Sequence, residues 1–172
     1  MSLSNMVLIG NRIKTLIEEL LVSVSSDAEN FGQDWVTRSW TIPSVAFRRR
    51  RSGRGREEDL MRINEGVTIV PMEPKMAYGT NERDGIGYRF LVALVSGSAT
   101  DTVSSDWPLP IWEQAIRRRF QNKRLGSLGL TTGCELRTTV EPGELPNWAM
   151  LSDSVDASFM VITEYIREDR RS

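Results

Sequence analysis

Six arginines fall within nine residues, Arg48-Arg49-Arg50-Arg51-Ser52-Gly53-Arg54-Gly55-Arg56. No other stretch concentrates so much chemistry. Guanidinium groups at this density suit phosphates or carboxylates, which they can grip in a planar fork. Directly behind them stand Glu57, Glu58 and Asp59. Consecutive residues on a helix point in different directions, so these acids read as a favourable helix start with local charge balance, not as a metal site. Cys134 sits beside Glu135 with no histidine to activate it, and reads as a buried or half-buried strand residue. The Gly53-Arg54-Gly55 and Gly85-Ile86-Gly87 pairs do not follow a strand and open a helix, and no Lys-Ser/Thr follows them. They read as loop glycines, not phosphate cradles.

The chain contains no histidine. That excludes a Ser-His-Asp triad, a Cys-His pair, an HExxH zinc helix and imidazole acid/base catalysis. One cysteine excludes an internal disulfide framework and a cysteine zinc site. Carboxylate chemistry and carboxylate-bound magnesium remain open, but no motif points to either. The expectation is a protein that is not an enzyme and uses no cofactor.

Twenty-two basic and 23 acidic residues among 172, with 40% apolar content, describe an ordinary globular chain of net charge −1. The length suits a single domain spanning 1–172, large enough for its own core. No apolar run approaches the ~20 residues of a membrane span, and the first residues lack the basic stretch and small-residue cleavage site of a secretory leader. With +6 held in residues 48–56, the remainder carries −7, so the expectation is an acidic body bearing one basic segment. Like charges repel and the glycines add freedom, so 43–56 is expected to be an extended arginine-rich loop.

Three uses of that loop stay open. It can bind DNA or RNA phosphates, although no aromatic residues interleave it for base stacking. It can lie on the acidic body of a neighbouring copy, where complementary charge orients association. It can also be a solvated loop without a fixed partner. Arg48, Arg49, Arg50, Arg51, Arg54 and Arg56 are therefore the candidate contact residues. Trp107 and Trp148 join them, because five tryptophans exceed what one small core absorbs and these two stand in loop-like contexts.

These contacts need a scaffold. Met6, Ile9, Ile13, Leu16, Ile17, Leu20, Leu21 and Val24 recur at helical spacing, predicting a helix over 4–24 capped by Ser4. Alternation from Trp35 to Ile42 predicts a strand ended by Pro43. Glu57 to Arg62 reads as a short helical turn. A second strand runs from Gly66 to Pro71, and 73–87, with four Gly/Asn positions, reads as a loop. Tyr88 to Val95 is apolar on both faces and reads as a central strand. Residues 96–106 are a polar linker. Leu109, Trp112, Ile116 and Phe120 mark a second helix, with Asp106 as its cap and Pro108 and Pro110 near its start. Strands follow at 134–140 and 155–167, then a frayed tail at 168–172. The expected fold is α+β: a mostly antiparallel sheet of four to five strands packed with two main helices.

The segment order resembles the small tail terminator, or tail-completion, proteins of long-tailed bacteriophages. Their amphipathic first helix is followed by a strand, an arginine- or proline-bearing loop, and a Leu-containing turn into a V-x-V-V-P strand. Here that reads Glu58-Asp59-Leu60, then Gly66-Val67-Thr68-Ile69-Val70-Pro71. The family's loop arginine and Y-x-hydrophobic-x-V strand are matched by Arg83 and Tyr88-Arg89-Phe90-Leu91-Val92-Ala93-Leu94. A helix and a strand come next. The closing phenylalanine-bearing strand reads Ser158-Phe159-Met160-Val161-Ile162-Thr163-Glu164-Tyr165-Ile166-Arg167.

The resemblance covers most of 6–167. It implies a structural virion protein, assembled in the host cytoplasm and located at the tail–neck junction. Six copies would form a ring that caps the tail tube and docks to the head–neck connector or stopper. A sheath would be a further partner in a contractile tail. The alternatives are a neck or stopper protein of the same virion and a nucleic-acid-binding module that uses the arginine loop. The arginine run and the Pro108/Pro110 helix start have no counterpart in the family pattern.

Overall fold

The computed structural model describes residues 4–20, 44–48, 66–80, 83–96, 109–126, 135–143 and 156–169. Within them the order is α1 (Asn5–Glu18), β1 (Val45–Phe47), β2 (Gly66–Pro71), β3 (Lys75–Thr80), β4 (Arg83–Ser96), α2 (Leu109–Phe120), β5 (Glu135–Pro142) and β6 (Asp156–Asp169). The strands form one six-stranded sheet in the order β1-β2-β4-β6-β5, with β3 also paired to β4. The predicted strand at 35–42, the turn at 57–62, the linker, the Asp106 cap, Cys134 and the last tail residues lie outside the described residues.

α1 forms as its spacing predicts. Ser4 takes the extended N-cap conformation, and its carbonyl accepts from the Val7 and Leu8 amides, but its side chain makes no capping bond. Ile9, Ile13, Leu16, Ile17 and Leu20 are buried. Each buried aliphatic is worth about 1.5–3 kcal/mol, so this face outweighs the Lys14–Glu18 pair at 2.9 Å, worth a few tenths. The helix runs to Glu18 with Glu19 as its C-cap, Leu20 is helical again, and 21–24 lie outside the described residues.

The second helix also follows its stripe. Leu109, Trp112, Ile116 and Phe120 are buried, and Pro110 occupies the first turn. Its C-terminal end turns through Asn122 at φ 55°, a left-handed conformation that asparagine tolerates.

Both helices pack on one face of the sheet. One core joins them to Val67, Ile69, Phe90, Val92, Leu94, Met160, Ile162 and Ile166. The opposite face carries a smaller buried cluster of Val70, Leu91, Ala93, Phe159 and Val161. β4 and β6 are thus apolar on both sides, and pair antiparallel over their whole length, from Arg83↔Asp169 to Ser96↔Asp156.

Several expectations are corrected, the frayed tail from 168 among them, because Glu168 and Asp169 of β6 still pair with Asp84 and Arg83. The sheet has six strands and is mixed, because β1 runs parallel to β2, with Val45↔Val67 and Phe47↔Ile69. β1 occupies 45–47, inside the stretch expected to be loop. Three residues are too few to show alternation, but Val45 and Phe47 pack against the helix-side core. The expected loop at 73–87 is instead β3 and the first part of β4, joined by the pairs Lys75↔Gly87 and Met76↔Ile86. Gly87 is a strand residue with a packing role. A Cβ there would lie 3.0 Å from Thr163 Cγ2 and 3.1 Å from Tyr165 Cε1, so the bare backbone makes room for the neighbouring β6 side chains.

A carboxylate lies within the helix-side face. Glu164 is fully buried between Tyr88 on β4 and Thr138 on β5, and the Thr138 hydroxyl donates to Glu164 Oε2. A buried carboxylate stripped of such a donor is costly. Thr138→Val is therefore expected to lower stability by about 1.5–3 kcal/mol, the range for hydrogen bonds to charged groups. Chemical denaturation with an unchanged m-value checks this, and a loss below about 0.5 kcal/mol would show that the bond contributes little.

Candidate binding surface

Of the sequence-predicted contact residues, only Arg48 belongs to the described residues. It is exposed, one position beyond β1, and its amide donates to the Ile69 carbonyl at 2.9 Å. Arg48, the first residue of the arginine run, thus stands at the end of β1. Arg49, Arg50, Arg51, Arg54, Arg56, Trp107 and Trp148 lie outside the described residues.

Cations that the sequence scatters are gathered by the fold. Arg89 stands on β4 opposite Thr163, on the sheet face away from the helices, and Tyr165 and Arg137 follow on that same face one pair further along. The Arg137 guanidinium carbon lies 5.7 Å from the Tyr165 ring centroid, within cation–π range. The Tyr165 ring also borders Gly87, which seats it on the sheet.

The β5 edge carries the pattern round to the helix side. The Asn122 amide donates to the Thr138 carbonyl at 2.8 Å, and the Thr138 amide donates to the Lys123 carbonyl at 2.9 Å. The Val140 amide donates to Gln121 Oε1 at 2.7 Å. The residues after α2 thus cover this edge, satisfying amides that would otherwise invite another strand. Lys123 and Arg124 follow at once, both exposed. Arg12 of α1 reaches the next residues, its Nε donating to the Gly126 carbonyl at 3.0 Å and the Leu125 carbonyl at 3.4 Å.

The electrostatics show crowding of like charge. Burial pushes Arg119 below the ordinary arginine value, the Arg12 guanidinium pushes it the same way, and Glu19 opposes them. Acids stand among these cations, Glu19 beside Arg119 being one. Glu113 accepts from Arg117 Nη2 at 2.8 Å and from Ser158 Oγ at 3.1 Å, while Glu141 is exposed on β5 four residues from Arg137. Across the described residues as a whole, arginine and lysine outnumber aspartate and glutamate. The expected acidic body is therefore not what the sheet and helices present; the acidic surplus of the chain lies in the other segments.

What the described residues place at this edge is positive charge beside one aromatic ring. Among the described residues no group of three or more histidine, cysteine, aspartate or glutamate residues is placed to hold a metal ion, and no helix is long and apolar enough to cross a membrane. No protein-family model matches the chain, and no curated protein matches it in sequence.

Proposed function

We propose that this chain is a structural virion subunit, a tail terminator that assembles as a six-membered ring, caps the tail tube and joins it to the head–neck connector or stopper. One observation carries the reading. The three strand segments on which the resemblance rests, 66–71, 88–94 and 158–167, are contiguous in space as parts of β2, β4 and β6, the middle of the sheet. The element order around them, a helix first and another between β4 and β5, is the order the resemblance implies.

A closed ring needs two different patches on each subunit and a rotation that closes. The two sheet edges differ in the required way. β5 is covered by the residues after α2, whereas β1, at the other end of the described strand order, is a three-residue strand followed by Arg48. In this reading the contact lies on the β1 side, with Arg48 at its margin, against a second patch on the neighbouring copy. The subunit acts by assembly, without an enzymatic step.

Mass photometry of the full chain across a concentration series, with and without purified tail tubes, tests the ring. Hexamers are expected, and tube ends should template them. A dimer as the sole oligomer under both conditions would overturn the reading. A ring that binds connector but not tube would favour the stopper assignment within the same virion.

A further inference from the structure

We propose that the cationic belt around the β5 edge is a binding track for the phosphodiester backbone of nucleic acid, separate from the arginine run and independent of the ring reading. The belt runs from Arg89, past Tyr165 and Arg137, over the edge at Lys123 and Arg124, to Arg12 on α1. Four elements and the turn after α2 bring these residues together from positions far apart in the chain.

Charge complementarity favours this class of partner. Arg89 and Arg137 share the sheet face away from the helices, two strands and two residues apart, so their backbone positions lie roughly 12 Å apart, and Lys123 adjoins Thr138 at the β5 edge. Among residues whose side chains are described, no ion pair engages Arg89, Arg137, Lys123 or Arg124. Their charges are thus not neutralised by an ion pair among those side chains.

The belt also lacks what a protein partner would need. Specific protein interfaces carry an apolar, well-packed centre, and among the described residues the large ring along this track is Tyr165, half-buried and engaged by Arg137. A surface made of charge around one seated aromatic fits a polyanion held by its backbone. Such contacts fix position without reading sequence.

Arg12 differs from the rest in having a second task. Its Nε holds the Leu125 and Gly126 carbonyls, which anchors the turn that presents Lys123 and Arg124. Removing it would disturb the site as well as its charge. The test therefore targets the three exposed members.

The experiment measures fluorescence anisotropy of the full-length chain with a labelled duplex of about 20 base pairs, a single strand of the same length and a labelled polyglutamate, across a salt series. The proteins are wild type, the triple variant Arg137→Ser/Lys123→Ser/Arg124→Ser, and the run variant Arg48→Ser/Arg49→Ser/Arg50→Ser/Arg51→Ser, each first shown to melt as wild type does. Wild type should bind nucleic acid irrespective of sequence. The triple variant should lose at least about tenfold in affinity at low salt, and its log–log salt slope on duplex should fall by up to about 0.9 for each cation removed.

Full affinity and slope in the triple variant, with binding lost only in the run variant, would overturn the proposal and return the contact to the arginine run. Binding of polyglutamate as tightly as of nucleic acid would overturn it in favour of an acidic protein. No binding by wild type at low salt would end it outright.

Discussion

Phe90→Ala is expected to lower the free energy of unfolding by about 3–5 kcal/mol, the range for truncating a core phenylalanine. Phe90 is fully buried in β4, between β2 and β6, where Pro71 and Ile162 stand opposite it. Its ring meets Phe47 edge to face, with centroids 6.1 Å apart at 62°, a geometry worth about 0.5–1.5 kcal/mol beyond area burial. The cavity would open where β1 meets the main sheet, so the short edge strand should loosen first. Urea denaturation gives the total, and hydrogen exchange at the Phe47 and Arg48 amides gives its distribution. A loss under about 1 kcal/mol would mean that the surrounding side chains collapse into the space.

Gly10→Val is expected to be the second severe change. A Cβ built on Gly10 would lie 2.2 Å from Phe47 Cζ and within 2.7 Å of both Cε atoms. The ring has no simple retreat, because its other side meets Phe90. Overpacking of this kind costs about 1–3 kcal/mol, and a β-branched side chain adds a second methyl to the clash. Helix propensity works the other way, since glycine in a helix costs about 1 kcal/mol relative to alanine. The two effects separate in a double-mutant cycle with Gly10→Ala. Alone it should destabilise, whereas in a Phe47→Ala background it should stabilise, because only the propensity gain survives. The same sign in both backgrounds would show that the Phe47 contact does not limit the helix position.

Much of this architecture is legible in the residue pattern. Both helices announce themselves by 3- and 4-residue spacing, and β2, β4 and β6 by alternation or by apolar runs on both faces. What escapes has physical causes. β1 is three residues long and adjoins an arginine run, so charge masks its two inward side chains. Gly85 and Gly87 carry the ordinary marks of a loop, yet Gly87 lies beside the bulky Thr163 and Tyr165 side chains of the next strand. That constraint comes from a residue 78 positions later and is invisible locally.

The belt escapes for a related reason. Its cations are spread over α1, β4, the turn after α2 and β5, and only the topology assembles them. One local signal was present: Arg89 is a charge inside a strand that is otherwise apolar on both faces. The arginine run, by contrast, is conspicuous in sequence and reaches the described structure only at Arg48.

The long pairing of β4 with β6 governs the order in which this molecule can be made. Its register joins residues that are 60 to 86 positions apart, from Ser96↔Asp156 to Arg83↔Asp169. Few of these contacts reward the chain early, because a large loop must close before the first forms. During synthesis β2 and β4 can meet while the ribosome is still adding α2. β4 then has an open flank of 14 residues until β6 emerges, and such a flank is a template for strands of other chains. At ~5–20 residues per second, completing the stretch from Ser96 to Asp169 takes several seconds. The nascent chain is therefore most exposed to misassembly in that interval, and a holdase or a slower supply of neighbouring copies would raise the yield of correctly folded subunits.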